Sequence, residues 1–284
     1  SAKDILPYTL GDWYAIGSKP PGISQLSPIG LTATAVYFED VKTLGAIATM
    51  LETPNDARVF AGRADEIRLA FNRKFFDAGK GIYSTGSQCA NAIALVFDLV
   101  APADRPRVVN ALVEDVRTRG LTAGDVGYRY LLRALADGGR SDVIFAMNNQ
   151  SEKPGYGYQL AHGATSLTEA WNAGRGSSQN HFMLGQIMEW FYHDLAGIQP
   201  DATGPGFGKV IVRPSPVGDI TWVKASYESP RGPIKVAWRH TDHAFTLDVS
   251  VPPNTSATVY VPTDGNVKAH VIGSGDHHFT SVLQ

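Results

Sequence analysis

Residues 157–190, GYQLAHGATSLTEAWNAGRGSSQNHFMLGQIMEW, carry two patterns in one stretch. The first half is glycine-rich, polar and aromatic, with no helical period. The second half turns helical, with Leu184, Ile187, Met188 and Phe191 at the i, i+3, i+4, i+7 spacing of one helix face. Between the halves stand a carboxylate (Glu169), an indole (Trp171), two amides (Gln179 and Asn180) and an imidazole (His181). Irregular chain that presents such groups on a helical support suits a sugar site. A ring stacks on the apolar face of a sugar, amides bind hydroxyls, and a carboxylate handles protons. A glycine-rich loop with a helix-capping glutamate fits the same residues.

Upstream, the helical period dominates. Residues 28–52 place Tyr37, Val41, Leu44, Ala48 and Leu51 on one face, with Pro28 as a first-turn proline. Residues 54–77 do the same with Phe60, Ala64, Ile67, Phe71 and Phe75, and Gly79 and Gly81 end that helix. Further helices are expected over 87–99, 103–119, 127–137, 140–150 and about 180–195. Short connections between them predict antiparallel αα-hairpins. After Gly197 the character changes. A Pro/Gly-rich linker, IQPDATGPGFG, leads into a period of two. Phe245, Leu247, Val249 and Val251 alternate, as do Ala257, Val259 and Val261, with SPRGP, HTDH and VPPNT as turns. The expected organisation is a helical part, 1–197, followed by an antiparallel β-sandwich, 198–284.

Composition narrows the functional classes. The chain has 284 residues, 43% of them hydrophobic and 18% charged, enough to bury a core in each of two domains. A formal net charge of -2 argues against a nucleic-acid or anionic-membrane partner. The single cysteine, Cys89, excludes an internal disulfide and lies in the apolar run CANAIALVF, as a buried thiol does. No metal site is expected. His277 and His278 are adjacent on a strand and point to opposite faces.

Three segments together resemble the α-L-rhamnosidases of glycoside hydrolase family 78. They are LGDWYAIGSKPPG at 10–22, LTAGDVGYRYLLRALADGGRSDV at 121–143, and GYGYQLAHGATSLTEAW with SSQNHFMLGQIMEWFYHDLAGI at 155–198. The tail, GFGKVIVRPSPVGDITWVKASYESPRG with VPPNTSATVYVP, resembles that family's C-terminal β-domain. The resemblance implies a mainly α fold: part of an (α/α)6 toroid, followed by the β-sandwich. It also implies an inverting hydrolysis that releases terminal α-L-rhamnose from a carbohydrate substrate and needs no cofactor. Such an enzyme sets two carboxyl groups on opposite faces of the sugar, one as acid and one as base on a water.

On this resemblance Glu169 of TSLTEAW is the general base and His181 of SQNHF contacts the sugar. Trp13 of GDW is an aromatic at the rhamnose subsite, with Asp12 beside it. Trp171, Asn180 and Tyr158 line the surroundings. Asp125 in TAGDVGY reads either as a helix N-cap or as a wall of the cleft. The chain departs from the family in having Thr168 and Ala170 around Glu169, where many members carry Trp and Arg. These changes bear on sugar preference. The family's general acid lies in an Arg-Glu or Arg-Asp-Glu motif upstream of GDW, and nothing before Trp13 matches it. The expectation is therefore the C-terminal part of such an enzyme, partnered by its N-terminal part as a second chain or a further segment. The competing expectation is a non-catalytic carbohydrate-binding or structural fragment that lacks the acid half.

Overall fold

A computed structural model describes residues 4–20, 22–174, 176–263 and 266–282. The chain divides into two compact units, residues 1–186 and 187–284. The first is built from helical hairpins. Helix α1 (Ile29–Met50) begins behind Pro28, which stays extended at the cap position, one residue before the first turn. It packs along α2 (Pro54–Phe75), whose Pro54 does open the helix. Leu31, Phe38 and Val41 of α1 and Ile67, Phe71 and Phe75 of α2 are buried. Leu44 and Leu51, expected inside, are instead 45% and 68% exposed. Met50, Val59 and Leu69 are exposed as well, so this hairpin leaves much apolar surface to water.

Helix α2 stops two residues before the expected 77. Phe76 and Asp77 form strand β1, which pairs with β2 (Ile82–Tyr83) across a turn. Helix α3 (Gln88–Val96) follows, capped by Ser87, whose hydroxyl accepts from the Ala90 N–H at 3.3 Å. It is almost wholly buried, Cys89 included, and packs on α4 (Arg105–Arg119) and α5 (Gly127–Asp137). Helix α4 ends at Gly120, in the left-handed region at φ 73°. Helix α6 (Ser141–Asn148) completes a hairpin with α5 across Gly138-Gly139. A short α7 (Tyr156–Ala161) lies where no helical period is legible. The single helix expected over 180–195 is not formed. The chain there makes a 3-10 turn (Phe182–Gln186), one α turn, α8 (Ile187–Trp190), and a π turn (Phe191–Leu195). Leu184 and Ile187 keep the buried face, whereas Met188 and Phe191 lose it as the pitch changes.

The second unit holds two four-stranded sheets. One has the order β10 (Gly275–Val282), β7 (Ala244–Val251), β6 (Gly232–His240), β5 (Trp222–Ser229). The other has the order β3 (Ile198–Pro200), β4 (Lys209–Val212), β8 (Ser256–Thr263), β9 (Asn266–Ile272). The expected alternation is realised. Ile234, Val236 and Trp238 of β6 and Phe245, Leu247, Val249 and Val251 of β7 are buried, opposite Val210, Val212, Ala257, Val259 and Val261. One pair departs from an all-antiparallel sandwich: β4 and β8 run parallel. The reason is topological. Strands β5 to β7 leave to build the other sheet, and the chain returns to β4 in the same direction. No helix among the described residues is long and apolar enough to cross a membrane.

Trp238 anchors this sandwich. Its indole is 1% exposed, lies 5.9 Å from the Phe245 ring and donates to the Leu195 carbonyl at 2.9 Å. Trp238→Ala removes the buried ring and leaves that carbonyl unmatched. It is expected to destabilise the β unit by about 3–5 kcal/mol, read as a lowered urea midpoint with little change in slope.

Candidate active site

Two loops far apart in sequence meet on one carboxylate. Asp12 is 1% exposed. Its Oδ2 accepts from the Gly124 N–H at 3.0 Å and its Oδ1 from the Gly127 N–H at 2.7 Å. The return contacts are backbone to backbone. Asp125 N–H donates to the Trp13 carbonyl at 2.7 Å and Ile16 N–H to the Thr122 carbonyl at 3.0 Å. The approach is close enough to require glycine. A Cβ at Gly124 would stand 2.0 Å from the Trp13 oxygen, and one at Gly127 would stand 2.6 Å from Cβ of Cys89. The GDWY and TAGDVG motifs are thus two halves of one joint. Burial pushes the Asp12 carboxyl up to about 6, although the two N–H groups pull the other way.

Glu169 projects from an irregular hairpin. Its N–H donates to the Ser178 carbonyl at 2.9 Å, and His181 N–H donates to the Leu167 carbonyl at 2.8 Å. These bonds draw 167–169 against 178–181. The Glu169 Oε2 accepts from the Ser178 N–H at 3.0 Å. Underneath, Trp171 is 1% exposed, donates from its indole to the Ala123 carbonyl at 2.8 Å, and packs edge-on to Tyr128 and Tyr156 with centroids 4.8 and 5.2 Å away. The loop that carries Glu169 therefore rests on an aromatic block, itself bonded to the TAGDVG turn.

Above that block the charges are of one sign. Burial first, and then the Glu169 charge, raises the pKa of the Tyr14 phenol. Asp125 is 4% exposed, and its Oδ1 meets no hydrogen-bond partner among the described residues. It does not cap α5, whose cap position is Val126. Burial first, then the charges of Glu169 and Asp12, push its carboxyl up to about 7. Asp125 thus senses both other carboxylates, and no ion pair among the described residues involves any of the three. Such clustering of raised carboxyls marks functional sites more often than structural ones.

The other expected site residues divide. Trp13 is half-buried, its ring 5.8 Å from that of Tyr14. His181 is half-buried with Nδ1 lacking a partner among the described residues, and Asn180 is exposed on the same loop. Two expectations of sugar contact are corrected: Asp12 and Trp171 are sealed inside by the bonds just described. Tyr158 is half-buried and stacked on His162, centroids 3.8 Å apart, one turn along α7. Tyr14 went unrecognised in the sequence. The only available signal was its place directly after GDW. A small cavity of about 60 Å³ lies between Tyr14, Ile16, Lys19, Ala170 and Asn172, with Trp171 as its floor. A larger one, about 770 Å³, spreads over the outward face of β5–β6–β7–β10, where Asp248 is already paired with His278 at 2.6 Å.

The raised carboxyls have a consequence for stability. A carboxyl that binds its proton more tightly when folded favours the folded state at low pH. Its contribution falls as pH rises from about 4, the unfolded value, through about 7. Asp125→Asn mimics the protonated form. It is expected to melt like the parent at pH 4.5 and at a higher temperature than the parent at pH 8, by calorimetry at both pH values.

Comparison with known proteins gives the family of the chain. The bacterial alpha-L-rhamnosidase 6 hairpin glycosidase domain matches residues 2–195, and the bacterial alpha-L-rhamnosidase C-terminal domain matches residues 197–275. An alpha-L-rhamnosidase of Streptomyces avermitilis is 29% identical over 95% of this chain. One from Formosa agariphila is 26% identical over 94%. The chain spans only 28% and 30% of the length of these two relatives. The solved alpha-L-rhamnosidase from Dictyoglumus thermophilum superposes on 98% of the chain, with TM-score 0.87 and 31% identity, covering 34% of that protein. That of Streptomyces avermitilis, complexed with L-rhamnose, superposes on 97% with TM-score 0.88 and 28% identity, covering 28% of that protein. With the hairpin part and the strand part each matched by its own domain, the chain belongs to the bacterial α-L-rhamnosidase family.

Proposed function

We propose that this chain forms part of an inverting glycosidase that releases terminal α-L-rhamnose, with Glu169 as the general base. The observation that carries this reading is the setting of Glu169. It is a half-exposed carboxylate held by the Ser178 N–H on a braced loop, next to an aromatic-walled hollow. In the reaction a water on one face of the sugar gives its proton to Glu169 and attacks the anomeric carbon. A general acid on the other face protonates the departing oxygen. Trp13 offers a ring to the sugar, while Asn180 and His181 offer groups to its hydroxyls. Asp125, next to Glu169, is a wall of the same subsite.

We place the general acid outside these 284 residues, together with the remaining hairpins of the toroid. Two observations support this. The relatives are about three times longer, and Leu44, Met50, Leu51, Val59 and Leu69 are left exposed on α1 and α2, as a surface awaiting a partner would be. Residues 1–197 are then the C-terminal part of the catalytic domain and 198–284 its β-sandwich. The second reading is a carbohydrate-binding fragment without catalysis.

Both readings are open to kinetics on the full-length polypeptide that carries this chain, with an aryl α-L-rhamnoside as substrate. Glu169→Gln should lower kcat by about 10²–10⁴ while sugar binding persists. Activity close to the parent would take the base role from Glu169, and a parent inert on rhamnosides would favour the binding fragment. Trp13→Ala should raise KM several-fold through loss of ring stacking. Unchanged KM and kcat would return Trp13 to a packing role.

A further inference from the structure

We propose that the outward face of the sheet β10–β7–β6–β5 binds a neutral carbohydrate chain. The proposal stands apart from the reading of Glu169, because no residue of that site takes part. The strand registers set this face in rows. Lys224, Ala237, Asp248 and His278 stand side by side across the four strands, and Ser226, Lys235, Ser250 and Asp276 form the next row. Alternation turns these residues away from the buried side chains of the same strands, such as Val236 and Val249. The two rows line a hollow of about 770 Å³, within the range of about 300–1,000 Å³ common to ligand sites. Its floor is low because Ser226, Ala237 and Ser250 are small.

The charges around this floor are sorted by strand. Lys224 and Lys235 stand on β5 and β6, Asp248 and Asp276 on β7 and β10. A face that only stabilised its own sheet would set opposite charges directly across from one another. Here Lys224 faces Ala237, and Lys235 stands between Ser226 and Ser250. Each lysine is two strands, roughly 10 Å, from the carboxylate of its own row. Asp248 pairs with His278 at 2.6 Å. The side chains of Lys224, Lys235 and Asp276 make no hydrogen bond or ion pair among the described residues. Donors therefore line one side of the hollow and acceptors the other, with small residues between them.

This arrangement selects the occupant. A hydroxyl both donates and accepts, so a sugar ring on the small floor meets the lysines with its oxygens and the carboxylates with its O–H groups. Hydrogen bonds of this kind, with one charged partner, are the stronger ones. A polyanion would meet the like charges of Asp248 and Asp276. A protein partner would want a large apolar anchor, and the floor offers Ala237 and two serines. One ring completes the face. Trp222 shares the alternation of Lys224 and Ser226, stands about 7 Å along β5 from Lys224, and is 58% exposed. An indole left in water beside a polar hollow is a platform for the apolar face of a sugar. A chain held here stays at high local concentration for the polypeptide that carries it.

The test uses the full-length polypeptide that carries this chain, run in native gels that contain a polysaccharide. Arabinogalactan, galactomannan and dextran are the neutral probes, and polygalacturonate is the acidic one. At least one neutral probe is expected to retard the parent. Trp222→Ala removes the ring, and Ser250→Gln fills the floor. Each should raise the dissociation constant read from that retardation by about tenfold. Melting temperatures within about 2 °C of the parent check the fold, as surface substitutions usually allow. Should Ser250→Gln melt lower, Trp222→Ala still decides, since it removes only an exposed side chain. Lysine acetylation of the parent, mapped by mass spectrometry, should modify Lys224 and Lys235. No retardation by any neutral probe, or equal retardation of parent and variants, would overturn the proposal. So would retardation by polygalacturonate alone, which would give the face to acidic chains. Protection of both lysines would overturn it too, because another part of the polypeptide would then cover the hollow.

Discussion

The joint made by Asp12 governs the candidate site. A single buried carboxylate takes two backbone N–H groups from a turn 112 to 115 residues further along the chain. Those bonds compensate in part for its removal from water, and burial still dominates its titration. Once the joint is closed, four things follow. Trp13 gives its carbonyl to Asp125, Tyr14 is forced to positive φ, Ala123 turns its carbonyl to the Trp171 indole, and Asp125 is enclosed with an oxygen unmatched. The glycines at 124 and 127 are part of the same constraint, because any side chain there would keep the loops apart.

The electrostatic character of the site comes from what that joint excludes. Asp125 lies close enough to Asp12 and Glu169 to sense both, yet the ion pairs of the helical unit lie elsewhere, as with Arg63 and Asp4 or Arg119 and Asp115. Burial first, and then like charge, leads a carboxyl to hold its proton. Asp125 does so most strongly because it lacks the backbone donors that Asp12 enjoys. Glu169, half-exposed at the loop, is the member of the set that water reaches best. The arrangement separates one accessible carboxylate from two enclosed ones, and that distinction is what proton transfer needs.

Much of this was legible in the chain. Helical period and turn residues mark α1 to α6, because apolar faces of two turns or more leave a strong pattern. Alternation marks β7 and β8 for the same reason at period two. Helix α7 and the broken run over 182–195 were not legible. Their pitch is decided by bonds to distant chain, such as Tyr156 to the Leu184 carbonyl and Gln186 to the Asp125 carbonyl, rather than by local propensity. The parallel pairing of β4 with β8 is equally hidden, since strand patterns do not carry partner or direction.

By itself the sequence determined the kinds of element, the change from helices to strands after Gly197, and the irregular polar stretch that carries Glu169. It determined these because period and residue chemistry are local properties. The tertiary structure alone decided the roles around that glutamate. Trp171 became a floor rather than a sugar contact, Asp12 a fastener rather than a ligand, and Asp125 an enclosed acid rather than a helix cap. Burial and electric field are sums over everything nearby, and what is nearby is set by contacts between residues more than a hundred positions apart.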